Sequence, residues 1–567
     1  MRRPASIVYG VDDSPPVGVT ILSGLQHVGL VSIFLLVPVL ACRQAGLPPE
    51  KIVDVLSLSM LVMAIGPVLQ QLGRGGVGSG YLCPTIFAAP YLPASILAIK
   101  AGGLPLMFGM TIFAGFAEIT VSRLFRRLRP LFPPEIAGFV VVMIGVTIGN
   151  LGFRSLFATT TGAPPGVPQL AVAAVTLGTM VALNVWTKGA TKLFCALIGM
   201  VFGYVVAVLS GVLPAADMAR LAHAPLARLP DISHLGWKFD VDLVIPFAVA
   251  AVAASLRAMG DVTICQKTND ADWKRPDMVS ISGGALANGI GTVLSGVLGT
   301  VGTNTSTSNV GLAAATGVTS RKVAYATGAI YLLLAFVPMG ATVFVIMPGA
   351  VVGATLVFAS CLVFVNGLQI ITARLLDARR TFVIGLSFML GLTVDVMPGV
   401  FADLPSGLRQ FTSSSLLLGT LTALILNLVF RLGVRRNATL IVDPAHVEPT
   451  KIEAFMEING AAWGARRDVI DRARFNLVQS IETLASSGVA SSPLDVLASF
   501  DEFRLDVRVS YVGLPLEFPE NRPSNEDIIA SEVGERRLAG FLLRRSADRV
   551  SAVSRDGHST ILFHFDH

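Results

Sequence analysis

Long apolar runs separated by short polar joints fill the chain up to Arg436, and a charged, amphipathic tail follows. Four of the runs, VGVTILSGLQHVGLVSIFLLVPVLAC, AGFVVVMIGVTIGNLGF, CALIGMVFGYVVAVLSGVL and LLLGTLTALILNLVF, reach or approach the roughly 20 residues that cross a bilayer. About fourteen apolar segments can be delimited in this way. They begin near Val17, Lys51, Tyr81, Gly103, Pro134, Pro168, Leu193, Asp242, Val279, Val301, Val323, Ala350, Thr381 and Ser413. The first is not read as a signal peptide, because MRRPASIVYGVDDSPP before it is too long and too acidic for an n-region.

Composition agrees with the pattern. Hydrophobic residues make up 53% and charged residues 14%, against about 25% charged in soluble domains, and the mean hydropathy is +0.69. The net charge of +6 reads as basic cytoplasmic loops rather than nucleic-acid binding. With the N-terminus inside, the cytoplasmic loops hold SRLFRRLRP, TKGATK, QKTNDADWKRP, SRK and TARLLDARR. The opposite loops are poorer in Lys and Arg, which places the N-terminus in the cytoplasm, and an even number of spans returns the tail there. Cys42, Cys83, Cys195, Cys265 and Cys361 all lie in apolar segments without a CxxC, so neither a disulfide framework nor a zinc site is expected.

The expected fold is an all-α polytopic membrane protein with a cytoplasmic α/β domain. Residues 1–16 form a cytoplasmic N-terminus, 17–436 the transmembrane domain and 437–567 the tail. The polar stretch PAADMARLAHAPLARLPDISHLGWKFD divides the apolar segments into seven and seven, over 17–213 and 242–436. Halves with an odd number of spans have opposite topology, the inverted-repeat plan of many transporters. The third segment of each half is anomalous: GSGYLCPTIFAAPYLPAS is broken by Gly and Pro, and GTNTSTSNVG is too polar to face lipid. Non-helical backbone at membrane depth is tolerated only where protein or a cavity surrounds it. Matching interruptions in two repeats point to a substrate site.

In TSTSNVGLAAATG, Ser and Thr at 305–308 suit a short extended piece, and Asn309 and Gly311 permit a helix to start. Half-helix N-termini aimed at one point would receive an acceptor-rich or anionic ligand; a polar helix–helix contact is the alternative. In SLRAMGDVT, Arg257 and Asp261 are four apart and share a helix face. Either they form a structural ion pair, or the guanidinium reads a substrate bidentately. Coupling to an ion needs a group that changes protonation or binds a cation. Asp261 is the first candidate, followed by His27 and Glu118 (AGFAEITVS); Asp395 (LTVDVMPG) also lies in an apolar segment.

SNVGLAAATG resembles the signature of the nucleobase–ascorbate transporter family (nucleobase:cation symporter-2). Its pattern is Gln, Glu or Pro, then Asn-x-Gly, four residues, Thr, and Arg, Lys or Gly. Asn309, Gly311, Thr316 and Gly317 match, and Ser308 replaces the acidic or amide residue. LQH resembles the family's Gln-His pair at Gln26 and His27, and TIFAA its Ser-Phe-Ala stretch at Phe87 and Ala88. FPPEIAGFVVVMIG has the family look as well. The resemblance covers about residues 15–436. It implies fourteen spans in an inverted 7+7 repeat, a core and a gate domain, short antiparallel strands in the third and tenth spans, and a homodimer. Substrate-binding positions carried over are Gln26, Phe87, Ala88, Arg257, Thr307, Ser308 and Asn309. Arg257 stands where the family has a base-reading Glu, and Asn288 falls where it often has an acidic residue; the latter is read as structural.

The resemblance implies a permease that imports a purine-type base by proton symport through an elevator motion. The Arg favours xanthine or urate, and a non-nucleobase anion is the alternative. No cofactor is expected beyond a coupling proton or sodium ion, and the expected location is a bacterial inner membrane. No Walker motif, metal cluster or nucleophile–base pair suggests an enzyme. The tail has an amphipathic run, EAFMEINGAAWGARRDVIDRARFNLVQSIETLASSG, and an alternating one, FRLDVRVSYVGLPLEF. It resembles anti-sigma-factor-type histidine-kinase-like ATPase domains. Glu482 fits that pattern, while Ser486 stands at the Asn position and YVG at the Asp turn. A regulatory or protein-interaction domain without ATP binding is the expectation.

Overall fold

The computed structural model describes residues 2–73, 76–128, 134–157, 165–273, 276–372, 376, 378–401, 412, 414–430, 436–465, 467–486, 488–490, 492–501, 504–523, 532–555 and 557–566. The chain forms two compact units, Met1–Asn427 and Leu428–His567.

The first unit opens with α1 (Val17–Val31) and α2 (Leu36–Gln44), joined through a 3-10 turn, and α3 (Pro49–Gln71). Strand β1 (Thr85–Phe87) follows, then α4 (Tyr91–Leu128), which bends where Gly103 adopts φ 76°. A side chain rarely tolerates that φ, so the glycine sets the bend between a half-helix over 91–101 and a long helix beyond. Next come α5 (Pro134–Phe157), α6 (Val167–Trp186), the short α7 (Ala190–Leu193), α8 (Cys195–Leu209) and α9 (Ala215–Ala222).

The second half runs α10 (Val244–Asn269), α11 (Met278–Val297), β2 (Thr303–Thr305), α12 (Thr307–Thr316), α13 (Val323–Ala335) and α14 (Pro338–Val345). It ends with α15 (Gly349–Thr372), α16 (Ala378–Val396) and α17 (Ser415–Phe430). The expected segment starts fall on or near these elements, with Ser413 outside the described residues. Among the described residues eight spans, α1 and α2 counted as one over Val17–Gln44, are long and apolar enough to cross a membrane, or nine if the pair α13–α14, bent by 82°, is one span. The run of α8 extends from Cys195 to Leu213 in sequence, yet its helix has only 15 residues; α17, with 16, covers the whole of its run.

Many packings join the halves, and two of them pair like with like. Strands β1 and β2 are antiparallel, with Thr85 opposite Thr305 and Phe87 opposite Thr303, and α5 packs along α15. In both cases the partners are segments in corresponding positions of the two sevens. The strands sit deep because glycines let them approach. A Cβ on Gly66 would fall 2.3 Å from the Thr85 hydroxyl, and one on Gly302 would fall 2.5 Å from the Tyr91 ring. Helices α1, α3, α4 and α10–α13 pack around the strands, while α5, α6, α8, α15 and α16 pack on one another.

Outside the helices, two polar segments strap this unit. The N-terminal residues lie along the turn after α12: Val8 and Tyr9 donate to Gly317 O, and Thr319 N donates back to Tyr9 O. The loop before α10 bonds to α3, α4 and α11. Arg228 pairs with Asp54, Lys51 with Asp231 at 2.5 Å, and Trp237 Nε1 donates to Gly296 O at 2.9 Å. The Lys51 ammonium and Ser233 hold the Asp231 carboxyl well below the usual carboxylate range.

The second unit is a five-stranded antiparallel sheet with helices on one face. Its strands are β3 (Arg436–Val442), β4 (Leu494–Phe500), β5 (Arg504–Val512), β6 (Arg549–Arg555) and β7 (His558–Asp566), ordered β3-β4-β5-β7-β6. Helices α18 (Pro449–Trp463), α19 (Arg467–Ser486) and α20 (Glu532–Ser546) cover one face, where Met456, Leu477, Ile481 and Leu543 share a core with Phe563 of β7. The amphipathic run read from sequence is therefore two helices, divided where Gly464 adopts the left-handed conformation.

Candidate functional site

The polar decapeptide becomes a strand, a cap and a half-helix. Extended backbone runs over Thr303–Thr305 and continues beyond the formal pair: Ala88 N donates to Gly302 O at 2.8 Å, and Ser306 N to Pro84 O at 3.0 Å. Helix α12 then starts at Thr307, with Ser306 Oγ accepting from Asn309 N at 3.4 Å. The helix thus begins two residues before Asn309, because the serine caps the free N–H groups. Gly317, at φ 69°, ends it.

Asp261 on α10 faces this junction. Its Oδ2 accepts from the Thr305 hydroxyl at 2.6 Å and its Oδ1 from the Thr307 hydroxyl at 2.5 Å. The carboxylate therefore ties the end of β2 to the start of α12. Arg257, one turn away, approaches only through Nε, 4.0 Å from Asp261 Oδ2. Among the described residues its guanidinium makes no hydrogen bond to protein, and 12% of its side chain is exposed. A Cβ built on the neighbouring Gly260, or on Gly311 of α12, meets nothing within 4 Å. Open space lies beside the arginine and the half-helix.

Three residues at this junction carry buried polar atoms without partners. Asn309 is fully buried, and neither its Nδ2 nor its Oδ1 has a hydrogen-bond partner. His27 on α1 abuts Asn309 with Nδ1 unpaired, and Asn304 Nδ2 in β2 is unpaired too. Leaving such groups unsatisfied costs about 1–3 kcal/mol each, so a polar ligand is the natural complement. Phe87 and Ala88 are fully buried on β1 and supply an apolar wall. Ser308 is exposed at the mouth and touches Ser306 Oγ at 3.1 Å; Gln26 is half-buried beside His27.

Glu118 stands apart. It is fully buried on α4, with Oε1 accepting from Tyr91 Oη and Thr292 Oγ1 and Oε2 accepting from Asn288 Nδ2. It adjoins the opposite end of β2 from Asp261. Asp395 accepts from Asn150 Nδ2 at 3.0 Å, a link between α16 and α5. Sequence reasoning placed Thr305 in an extended piece but did not foresee its bond to Asp261, and had no role for Tyr91 and Thr292. Thr292 was legible as the residue four after Asn288 on a helix otherwise made of small and apolar residues.

The chain that builds this site has relatives. The xanthine/uracil permease model, described as the Permease family, matches residues 18–400. The chain belongs to this family. A Clostridium perfringens protein provisionally named a purine permease is 29% identical over 75% of this chain and 93% of its own length. The xanthine permease XanP of Escherichia coli is 26% identical over 75% of this chain and 95% of its own. Among solved structures, the transmembrane domain of the cyanobacterial bicarbonate transporter BicA aligns at TM-score 0.44 and 15% identity, covering 72% of this chain and 97% of that one. Membership makes this permease an integral membrane transporter rather than an enzyme. In the tail, Glu482 and Ser486 both lie exposed on α19.

Proposed function

We propose that this permease imports a purine-type nucleobase, with xanthine or urate favoured, by proton symport. Arg257 carries the reading. A guanidinium at this depth is costly unless it is paired or functional, and its distant approach through Nε leaves the Nη donors for a ligand. Xanthine and urate present several carbonyls and ionise readily, which suits bidentate donation. Asn309, Asn304 and His27 supply further polar contacts, Phe87 and Ala88 the apolar surface, and Thr307, Ser308 and Gln26 the rim. Asp261 is the coupling carboxylate nearest the substrate.

The helix packing supports a core of α1–α4 and α10–α14 moving as an elevator against a gate of α5–α8 and α15–α17. The fourteen segments form an inverted 7+7 repeat in which several spans are broken or short. The protein is a homodimer of the bacterial inner membrane, both termini cytoplasmic, and the tail engages a regulatory protein. A second reading, an organic or inorganic anion as substrate, draws on the same guanidinium and the N-terminus of α12.

Thermal stabilisation of the purified protein against uracil, adenine, guanine, hypoxanthine, xanthine, urate, ascorbate and carboxylates separates the two, because a ligand of the native state alone raises apparent stability. A shift confined to xanthine or urate is expected; a shift confined to carboxylates selects the second reading. Arg257→Gln should abolish uptake and leave a folded, well-expressed protein. Loss of expression rescued by Asp261→Asn would make Arg257 a structural partner instead.

A further inference from the structure

We infer that Glu118 is a second proton-binding site of this permease, distinct from Asp261, which acts by repositioning β2. The inference rests on the transport reading above.

Three donors converge on the Glu118 carboxyl. Tyr91 Oη and Thr292 Oγ1, the latter at 3.0 Å, donate to Oε1, and Asn288 Nδ2 donates to Oε2 at 2.6 Å. Two of the three also bond the first residue of β2. Asn288 Nδ2 lies 3.2 Å and Thr292 Oγ1 3.3 Å from Thr303 O, while Thr303 N donates to Thr292 Oγ1 at 3.2 Å. Tyr91 comes three residues after the β1 extension at Ala88, so the carboxyl touches residues that follow one strand and hold the other.

Nothing cationic balances it. Among the described residues, Tyr91 is the one ionisable group in contact with Glu118. Helix α11 carries none along its length. Helix α10 carries Arg257, Asp261, Cys265 and Lys267, none of them in contact with the carboxyl. On α2, Cys42 does not reach it and Arg43 is spent on the Val345 and Met347 carbonyls. Lys100 and Arg123 of α4, and His234, Lys238 and Asp242 of the loop over it, make no contact either. A dry carboxylate without a cation has two stable forms: ionised with three donors, or neutral.

The exchange between these forms is written in the hydrogen bonds. When Glu118 takes a proton from water, the new O–H is itself a donor, and one of the three existing donors must turn away. Asn288 Nδ2 has two protons and serves Glu118 and Thr303 O at once, whereas the single Thr292 hydroxyl proton must choose between Glu118 and Thr303 O or Thr303 Oγ1, each of the latter at 3.3 Å. Protonation therefore redirects a hydroxyl onto β2, whose far end holds Asp261 through Thr305.

The test uses full-length protein in proteoliposomes. Glu118→Gln should keep the xanthine-induced thermal shift and xanthine exchange, while accumulation driven by a pH gradient falls by about tenfold or more. Glu118→Asp should recover part of it. An infrared carboxyl band that appears on acidification should be missing in Glu118→Gln. If Glu118→Gln does not fold, Thr292→Val retains the carboxyl and should move the pH of half-maximal accumulation. Gradient-driven accumulation surviving in Glu118→Gln, an unmoved profile in Thr292→Val, or accumulation driven by sodium alone would each overturn the proposal. A parent protein silent to every purine, yet showing the Glu118 band, would sink the transport reading and spare the proton site.

Discussion

The chain builds two sheets by opposite means. The pair β1–β2 has three residues per strand, is buried on both sides, and owes its existence to the helices around it; two such strands are marginal alone in water. The five-stranded sheet of the tail brings its own core, buries one face under α18–α20, and leaves Asp506, Arg508, Val553 and His564 on the other. In the first, every side chain is held by surroundings that cannot relax into water. In the second, half of them answer to solvent. Identical secondary structure thus carries different stakes: the buried pair is a place for recognition, and the tail sheet is a platform.

Substitutions should reveal that difference in order of size. Phe87→Ala removes a fully buried ring from β1 and should cost about 3–5 kcal/mol, read as lost expression and a lower melting temperature. Val553→Ala, on the open face of β6 and 58% exposed, should stay within about 0.5 kcal/mol. Equal effects would mean that the buried pair is not packed as described.

A polar change should separate the sheets next. Thr305→Val deletes a hydroxyl bonded to the Asp261 carboxylate, an interaction worth about 1.5–3 kcal/mol, and should weaken xanthine binding roughly ten- to hundredfold. Ser510→Val removes only a 3.3 Å cross-strand contact to Thr560 and should leave both binding and folding close to the parent. Binding by Thr305→Val at parental affinity would detach Asp261 from the site.

The smallest effect is a pH dependence in the tail. His564 Nδ1 lies 2.6 Å from Asp506, and Nε2 lies 3.4 Å from Asp566; the two carboxylates raise the imidazole to about 9. Because the folded value lies above the ordinary one of 6.5, the added stability is complete below pH 6.5 and fades as pH rises through about 9. His564→Gln should therefore hasten limited proteolysis of the tail at pH 6 and make no difference at pH 10. A constant difference across that range would assign the histidine a packing role.

Much of this was legible beforehand. Helical apolar runs, two matching interruptions and the Asn309–Gly311 signature led to the broken segments, and a paired strand stands at each. The i, i+4 spacing placed Arg257 and Asp261 on one face, yet spacing cannot say how close two side chains come. Glu118 and Asn288 were each picked out from sequence, but their meeting was illegible, since they lie on α4 and α11 and come together only through helix packing. Run length misled at α8, because apolar composition does not reveal where a helix stops.

By itself, then, the sequence determined that the chain enters a bilayer, where its backbone leaves helical geometry and which polar residue types accompany the breaks. Those properties follow from local hydropathy and local backbone preference. Only the tertiary structure decided that Thr305 and Thr307 occupy Asp261 while Arg257 keeps its Nη donors, and that Glu118 touches the strand through Thr292 and Asn288. Hydrogen bonds depend on distances of a few tenths of an ångström between residues far apart in the chain, and packing alone sets those distances.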